Sequence, residues 1–409
     1  MEKQPYIKKY KFEKLLLLPI KFLYKKKQGQ LPNDFSLKNN DFHFIIFYTG
    51  ALGDCVLSTY FIGGLKNRFP NSKITFVSIP GAIGFLKCIK EIDFLFPSTI
   101  FTIRKLSRLF SLKAIKLFLK EHASVYRHTK NSKGTKVLIS LNRMDSILGV
   151  YKTCLVSSFI RNDLSIGLNT NERGFFFDCI IHDPGNLVEH ITETWRGFFK
   201  AFNRIQPLEQ LTSTINSNIA NYTKSWSGKK YCVIHTGGGS DITESKWINK
   251  RWDIYRFYQL AQWLVDVYDY EIIFVGMLQE KDSSFDSIQQ QKGYKDLYGK
   301  TTIPELISVI KNASIYVGND SGIAHIASFL NVKTFIIWGY ASYIDYMPIS
   351  DNTTLIRLPL KCAPCLPFFD NRECKGTSWE IKCVKDIELP LVQKIITELH
   401  DKKYFKLLI

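Results

Sequence analysis

The feature that most restricts this chain is a pattern it carries twice. An apolar run of strand length ends in a glycine-rich turn, and a helix follows. Residues 42–48 form a continuous run of aromatic and β-branched side chains that enters Thr49-Gly50-Ala51-Leu52-Gly53-Asp54. Residues 230–235 repeat the run and enter Thr236-Gly237-Gly238-Gly239-Ser240. A strand without polar alternation is buried on both faces, which is the habit of parallel sheets covered by helices. Further units follow each turn. In the first half, periodicity predicts helices over 55–69, 103–119 and 145–159, with strands at 73–78, 136–141 and 165–167. A helix over 186–202 closes that half. In the second half, it predicts helices over 254–268, 280–291, 303–311 and 323–330, with strands at 271–275, 296–298, 314–317 and 334–338. Strands alternating with helices read as α/β, here two Rossmann-like domains.

Length agrees, because 409 residues exceed one ordinary core. The expected division is a basic extension at 1–40, a first domain at 41–210, a polar linker at 211–229 and a second domain at 230–409. Two such halves place a cleft between them, with both glycine-rich turns at strand carboxyl ends. A net charge of +18 calls for an anionic partner or surface. No DNA- or RNA-binding signature is present, so nucleic acid is not expected. In the extension, Lys8, Lys9, Lys11, Lys14, Lys21, Lys25, Lys26 and Lys27 surround Leu15–Leu18. That arrangement suits an anionic membrane surface, a helix packed on the first domain, or a disordered basic tail. No apolar run approaches the ~20 residues needed to span a bilayer, and no signal peptide is recognisable. The expected location is cytoplasmic, at the inner face of the membrane. Cys55, Cys88, Cys154, Cys179 and Cys232 are scattered through apolar runs and read as buried free thiols.

Several residues could carry chemistry. Asp54 stands in the first turn of a helix, where it is either a cap or a general base. The loop Thr236–Ser240 offers backbone N–H groups to an anion. Lys250, in Lys250-Arg251-Trp252, is either a solvated cation or a group that neutralises charge on a leaving phosphate. Asp320, Ser321, Gly322 and His325 mark a strand, turn and helix N-terminus, the local design of a phosphate seat and equally of an ordinary capped loop. Cys362, Cys365, Cys374 and Cys383 could close a structural zinc or iron site, or stand as reduced thiols or a disulfide.

Taken in order, these residues resemble the ADP-heptose:lipopolysaccharide heptosyltransferase family, glycosyltransferase family 9. The resemblance rests on Gly50-Ala-Leu-Gly-Asp54, on Val188-Glu-His-Ile-Thr-Glu-Thr-Trp-Arg196, and on Lys250-Arg-Trp252 with Asp253 where proline is usual. It also rests on Asp320-Ser-Gly-x-x-His325 and on a late cysteine loop like that of the heptosyltransferase II branch. The resemblance implies a GT-B fold and inverting, metal-independent transfer from a nucleotide sugar, ADP-heptose, to a lipopolysaccharide or related glycan. It implies that Asp54 is the base, that Lys250 faces the donor diphosphate, and that Ser321, Gly322 and His325 hold the phosphates. Thr236 and Gly237 would line the same pocket, and Glu280 would meet the ribose. The alternatives are a same-fold transferase with another nucleotide sugar and acceptor, and a non-catalytic nucleotide-sugar-binding protein. Asp54 and Lys250 argue against the second, since a binder needs neither a base nor a leaving-group cation. The absence of a dinucleotide fingerprint disfavours an NAD oxidoreductase.

Overall fold

The computed structural model describes residues 41–103, 106–109, 111–185, 188–202, 213–216, 222–223, 228–238, 250–285, 293–365, 374, 376–378 and 380–402. The expected extension 1–40, most of the linker 211–229, Gly239, Ser240 and much of the cysteine loop lie outside these.

The chain divides into two compact units. The first is built on β1 (Phe42–Phe47), β2 (Lys73–Ser78), β3 (Phe94–Pro97), β4 (Thr135–Ser140), β5 (Leu164–Leu168) and β6 (Cys179–Ile181). Connecting helices are α1 (Leu52–Arg68), α2 (Pro80–Leu86), α3 (Leu106–Leu109), α4 (Leu112–Asn131), α5 (Ile147–Phe159) and α6 (Ile191–Ala201). The second unit is built on β7 (Tyr231–His235), β8 (Glu271–Val275), β9 (Tyr294–Asp296), β10 (Ile315–Asn319), β11 (Lys333–Ile337) and β12 (Thr353–Ile356). Its helices are α7 (Ile254–Tyr268), α8 (Ile303–Lys311), α9 (Gly322–Phe329), α10 (Tyr343–Tyr346), α11 (Lys382–Lys385) and α12 (Leu389–His400). The stretch Leu52–Leu57, at the start of α1, groups with the second unit, as do residues 188–190.

Every strand pairing is parallel. The strand orders are β3-β2-β1-β4-β5-β6 and β9-β8-β7-β10-β11-β12. These are one topology used twice. In each sheet the winding reverses between the first and fourth strands, β1 with β4 and β7 with β10. Loops leaving those two neighbours diverge to opposite faces and open a crevice at their carboxyl ends.

Two expected helices differ from the observed chain path. The region expected as one helix over 103–119 instead holds α3 and, from Leu112, the start of α4; a 3₁₀ turn at Thr99–Thr102 precedes it. Ser111 restarts the helix by accepting the Ala114 N–H at 3.2 Å. The helix expected over 280–291 has not begun at Glu280, which closes a 3₁₀ turn, Leu278–Glu280. Its carboxylate reaches back to the Met277 N–H at 2.9 Å, a side-chain bond that holds the turn. All five scattered cysteines are buried thiols outside any disulfide.

Helix α6 explains the aromatic residues of its sequence. Phe198 and Phe199 pack on Phe61, with ring centroids 5.5 and 5.1 Å apart. Trp195 meets Tyr48 edge-on and donates its indole N–H to the Leu141 carbonyl at 3.2 Å.

At the opposite end of β1, His43 is fully buried. Its Nδ1 lies 2.7 Å from Ser132 Oγ and its Nε2 2.7 Å from Thr75 Oγ1. Burial, the neighbouring His128 and the charges of Lys73 and Lys136 push its pKa down to about 4, against a smaller upward pull from Asp93. The folded state therefore holds this ring neutral while an unfolded chain would protonate it near pH 6.5. Between those values the unfolded state binds more protons, so stability falls as pH falls. Lowering the pH from 6.5 to 5 is expected to remove about 1–2 kcal/mol through His43 alone. Thermal midpoints measured across that interval should drop less steeply for His43→Gln than for the native chain.

Candidate active site

The second sheet's switch point gathers most of the residues singled out by the sequence. Its fixed centre is Asn319, the last residue of β10, which is fully buried. The side-chain amide donates to the carbonyls of Thr236 at 2.8 Å and Gly237 at 3.2 Å. Its oxygen accepts the Trp252 N–H at 2.9 Å. One asparagine thus ties the loop after β7 and the Lys250-Arg251-Trp252 segment to the end of β10. Trp252 is held further by its indole N–H, which donates to the Ile387 carbonyl at 2.7 Å, and by edge-on packing against Phe257. Asp253, where the family has proline, caps α7 by accepting the Arg256 N–H at 3.1 Å.

Lys250 is therefore delivered by a rigid segment. Its ammonium donates to the Asp320 carboxylate at 2.5 Å, and both side chains are largely buried. Ser321 follows as the N-cap of α9 and accepts the Ala324 N–H at 3.3 Å. The first turn of α9 leaves backbone N–H groups directed toward its start, beside the ammonium. One turn along, His325 is buried, and its Nδ1 has no hydrogen-bond partner among the described residues. Burial is the main cause that lowers its pKa to about 4; Asp320 opposes this, while Lys250 and His190 add to it. The imidazole is thus a neutral donor at physiological pH rather than a third positive charge. Within this unit Gly53 makes room for it, since a Cβ there would stand 2.8 Å from His325 Cδ2.

A second chain of contacts runs behind the loop. Glu280 Oε2 lies 3.2 Å from His235 Nε2, and His235 Nδ1 lies 3.1 Å from Ser321 Oγ. Burial alone would raise the Glu280 carboxyl; hydrogen bonding and charge from His235, the Met277 N–H and Arg251 outweigh it and hold the pKa below the usual range. The Thr236 hydroxyl lies 2.6 Å from the Tyr298 hydroxyl. Sequence reasoning does not single out Asn319, His235 or Tyr298. Asn319 and His235 carried a signal, since each is a polar residue ending an otherwise apolar strand.

At the first sheet's switch point the same device recurs. Asn142, just beyond β4, accepts the Thr49 N–H at 3.0 Å and the Thr49 hydroxyl at 2.8 Å through its side-chain oxygen. Its amide donates to the Phe47 carbonyl at 3.2 Å. Asp54 lies in the first turn of α1, the helix that follows this braced loop.

The four late cysteines are neighbours without forming a cage. Cys383, on α11, is buried, and the other three are half-buried. Burial pushes the Cys383 thiol up to about 12, and Cys365, Cys374 and Cys362 add to the rise. Cys365 Sγ lies 3.3 Å from the Cys362 carbonyl oxygen. Among the described residues no group of three or more His, Cys, Asp or Glu side chains is arranged to hold a metal ion.

Two six-stranded parallel sheets of one topology, each with its crevice at the switch point, define an α/β protein of the GT-B class. The family model for glycosyltransferase family 9 (heptosyltransferase) matches residues 146–375, and the chain belongs to that family. It is 28% identical over 179 residues to lipooligosaccharide heptosyltransferase 2 of Campylobacter jejuni subsp. jejuni serotype O:6, covering 42% of this chain and 51% of that protein. The matched stretch thus spans about half the length of that relative. It is 24% identical over 318 residues to lipopolysaccharide heptosyltransferase 3 of Escherichia coli, covering 73% of this chain and 84% of that protein. The fold is similar to that of E. coli heptosyltransferase WaaC with ADP-2-deoxy-2-fluoro heptose, at a TM-score of 0.66 and 16% identity. That similarity covers 87% of this chain and 99% of the other.

Gly237 gives this arrangement a sharp steric test. A Cβ there would stand 1.9 Å from Glu280 Oε1, and Glu280 is held by His235 and Met277. Gly237→Ala is expected to destabilise the second unit by about 1–3 kcal/mol, the usual cost of overpacking. Glu280→Ala should relieve part of that loss in the double variant, and a thermal-melt double-mutant cycle reads the coupling.

Proposed function

We propose that the chain is an inverting glycosyltransferase that moves a heptose from a nucleotide sugar, ADP-heptose, onto a lipopolysaccharide or related cell-surface glycan. The observation that carries this reading is the group of anion-seeking donors at the second switch point. It comprises the Lys250 ammonium, the N-terminus of α9 capped by Ser321, and the buried His325, whose Nδ1 has no partner among the described residues. A diphosphate is the ligand that uses all three. Lys250 and the α9 amides would stabilise charge developing on the departing diphosphate, the task other transferases give to a divalent metal. His325 would add a neutral hydrogen bond. Thr236 and Gly237, fixed by Asn319, would form the wall of the donor pocket. Glu280, with its own hydrogen bonds to His235 and Met277, would meet the ribose.

Asp54 is proposed as the general base. Direct displacement forms the bond from the acceptor oxygen to the anomeric carbon as the bond to the diphosphate breaks. The acceptor proton passes to the Asp54 carboxylate, and the sugar's configuration inverts. Asp54→Asn removes the base without touching the donor seat. We expect turnover to fall at least about 100-fold. Stabilisation of the protein by ADP at a hundredfold excess over its dissociation constant should remain near ~2.7 kcal/mol. Normal turnover by that variant would remove the proposed base; loss of ADP stabilisation would show that Asp54 belongs to the donor seat instead.

The acceptor places the work at the cytoplasmic face of the inner membrane. Among the described residues no helix is long and apolar enough to cross a membrane. A structural zinc or iron at Cys362, Cys365, Cys374 and Cys383 is proposed on their spacing alone, a Cys-x-x-Cys pair followed by two further thiols. A cation is what would let such neighbours ionise together. Elemental analysis should find about one metal per chain, lost in Cys365→Ser; a metal-free native protein would leave four thiols in a reduced loop.

A further inference from the structure

Helix α4 presents a face that the fold does not use. Its buried residues, Phe118, His122, Val125 and Thr129, lie on one side and pack into the first unit. At helical spacing beside them run Leu112, Ile115, Leu119 and Tyr126, exposed by 78%, 41%, 47% and 37%. Leu155, one turn before Phe159 on α5, is also exposed, and the Phe159 ring meets both Phe118 and Tyr126. Next around the helix come Lys113, Lys116, Lys120 and Arg127, all exposed. The single acidic residue of α4, Glu121, is turned away, accepting the N–H and hydroxyl of Thr99 at 2.8 and 3.0 Å. Nothing on the helix neutralises the basic stripe.

We infer that this face of α4 docks on an anionic bilayer surface. A helix lying in the membrane interface needs an apolar stripe to enter the acyl boundary and a basic stripe level with the headgroups. The two stripes here are parallel and adjacent. Charge decides against the other occupants. Residues 1–40 are themselves rich in lysine and do not complement a basic stripe. A second copy of this chain brings another +18. An anionic lipid surface complements both the helix and the extension. The inference deepens the proposed function and rests on its glycolipid acceptor, because docking here would hold the first unit at the surface where that acceptor is anchored.

The test is co-sedimentation of the full chain with phosphatidylcholine vesicles, with and without about a quarter phosphatidylglycerol. Binding should require the anionic lipid and weaken with salt. A basic residue near the surface contributes about fivefold, so Lys116→Gln/Lys120→Gln/Arg127→Gln should lower partitioning about 100-fold. Leu112→Gln/Ile115→Gln should lower it independently, and thermal melts verify that both variants fold. Lys25→Gln/Lys26→Gln/Lys27→Gln supplies the competing arm. If that variant loses binding while the α4 variants keep it, the extension is the docking element and the inference is wrong. Equal binding to neutral vesicles overturns it as well, as does capture of an acidic protein without vesicle binding. Transfer to a detergent-dispersed acceptor is read separately and should be unchanged in the α4 variants. Vesicle binding without transfer from any nucleotide heptose would overturn the proposed function and leave the docking face standing.

Discussion

An asparagine side chain braces the switch point of each sheet. In a doubly wound sheet the two central strands end side by side, and their loops leave in opposite directions. That divergence opens a crevice and leaves backbone groups there without ladder partners. Asn319 fills the gap in the second sheet by donating to the loop after β7 and accepting from Trp252. Asn142 fills it in the first by bonding to Thr49 and to the end of β1. The braced residues are themselves alike, Thr49-Gly50 and Thr236-Gly237. The repeat seen in the sequence as strand and glycine turn therefore extends to the clasp that holds the turn. A buried amide can do this because it is donor and acceptor at once, and a buried polar group left unpaired would cost about 1–3 kcal/mol.

From that clasp the placement of the proposed donor seat follows. Asn319 fixes the backbone of Trp252, and Trp252 is anchored to Ile387 by its indole. Lys250 stands two residues away, so a long flexible side chain departs from a rigid base. On the other side of Asn319, Asp320 meets that ammonium and Ser321 caps α9. Behind them, His235 joins Glu280 to Ser321, which couples the loop after β8 to the helix cap. Side chains held this way lose little further freedom when a ligand arrives, which is how preorganised electrostatics gains strength.

Much of this was legible in the sequence, for physical reasons that differ by element. Unbroken apolar runs such as Ile315–Val317 leave little choice but a buried parallel strand, and α7 and α8 announce themselves through clean periodicity with Asp253 and Thr302 as caps. The site residues of the second half share one crevice because the motif loops all follow strands of one sheet. What escaped was set by tertiary contacts. Strands β3 and β6 are short and lie at the edges of the first sheet, as β12 does in the second, so no long apolar run marks them. The region of 103–119 is apolar enough for one helix, yet Ser111 caps a new one within it. Glu280 reads as a helix start, but its carboxylate is committed to Met277 and His235. His235 and Asn319 looked like strand ends, and only their partners reveal a brace.

The charges of the seat are balanced more closely than the sequence suggests. The seat gathers Lys250, the helix end and His325, each a donor to an anion. Burial makes His325 neutral, with its pKa near 4, and Asp320 offsets Lys250 directly. Attraction for a diphosphate in the proposed role would then rest on directed donors more than on excess charge. A seat with several uncompensated cations would bind donor and nucleotide product alike, and uniform tight binding slows release without aiding the chemical step. Pairing Lys250 with Asp320 positions the ammonium while lowering that ground-state attraction. In the proposed reaction, charge on the departing diphosphate would grow as the bond to the sugar breaks, and the Lys250 and α9 donors would then interact with it more strongly than with the intact donor. That difference, rather than the strength of binding itself, is what would accelerate the proposed transfer.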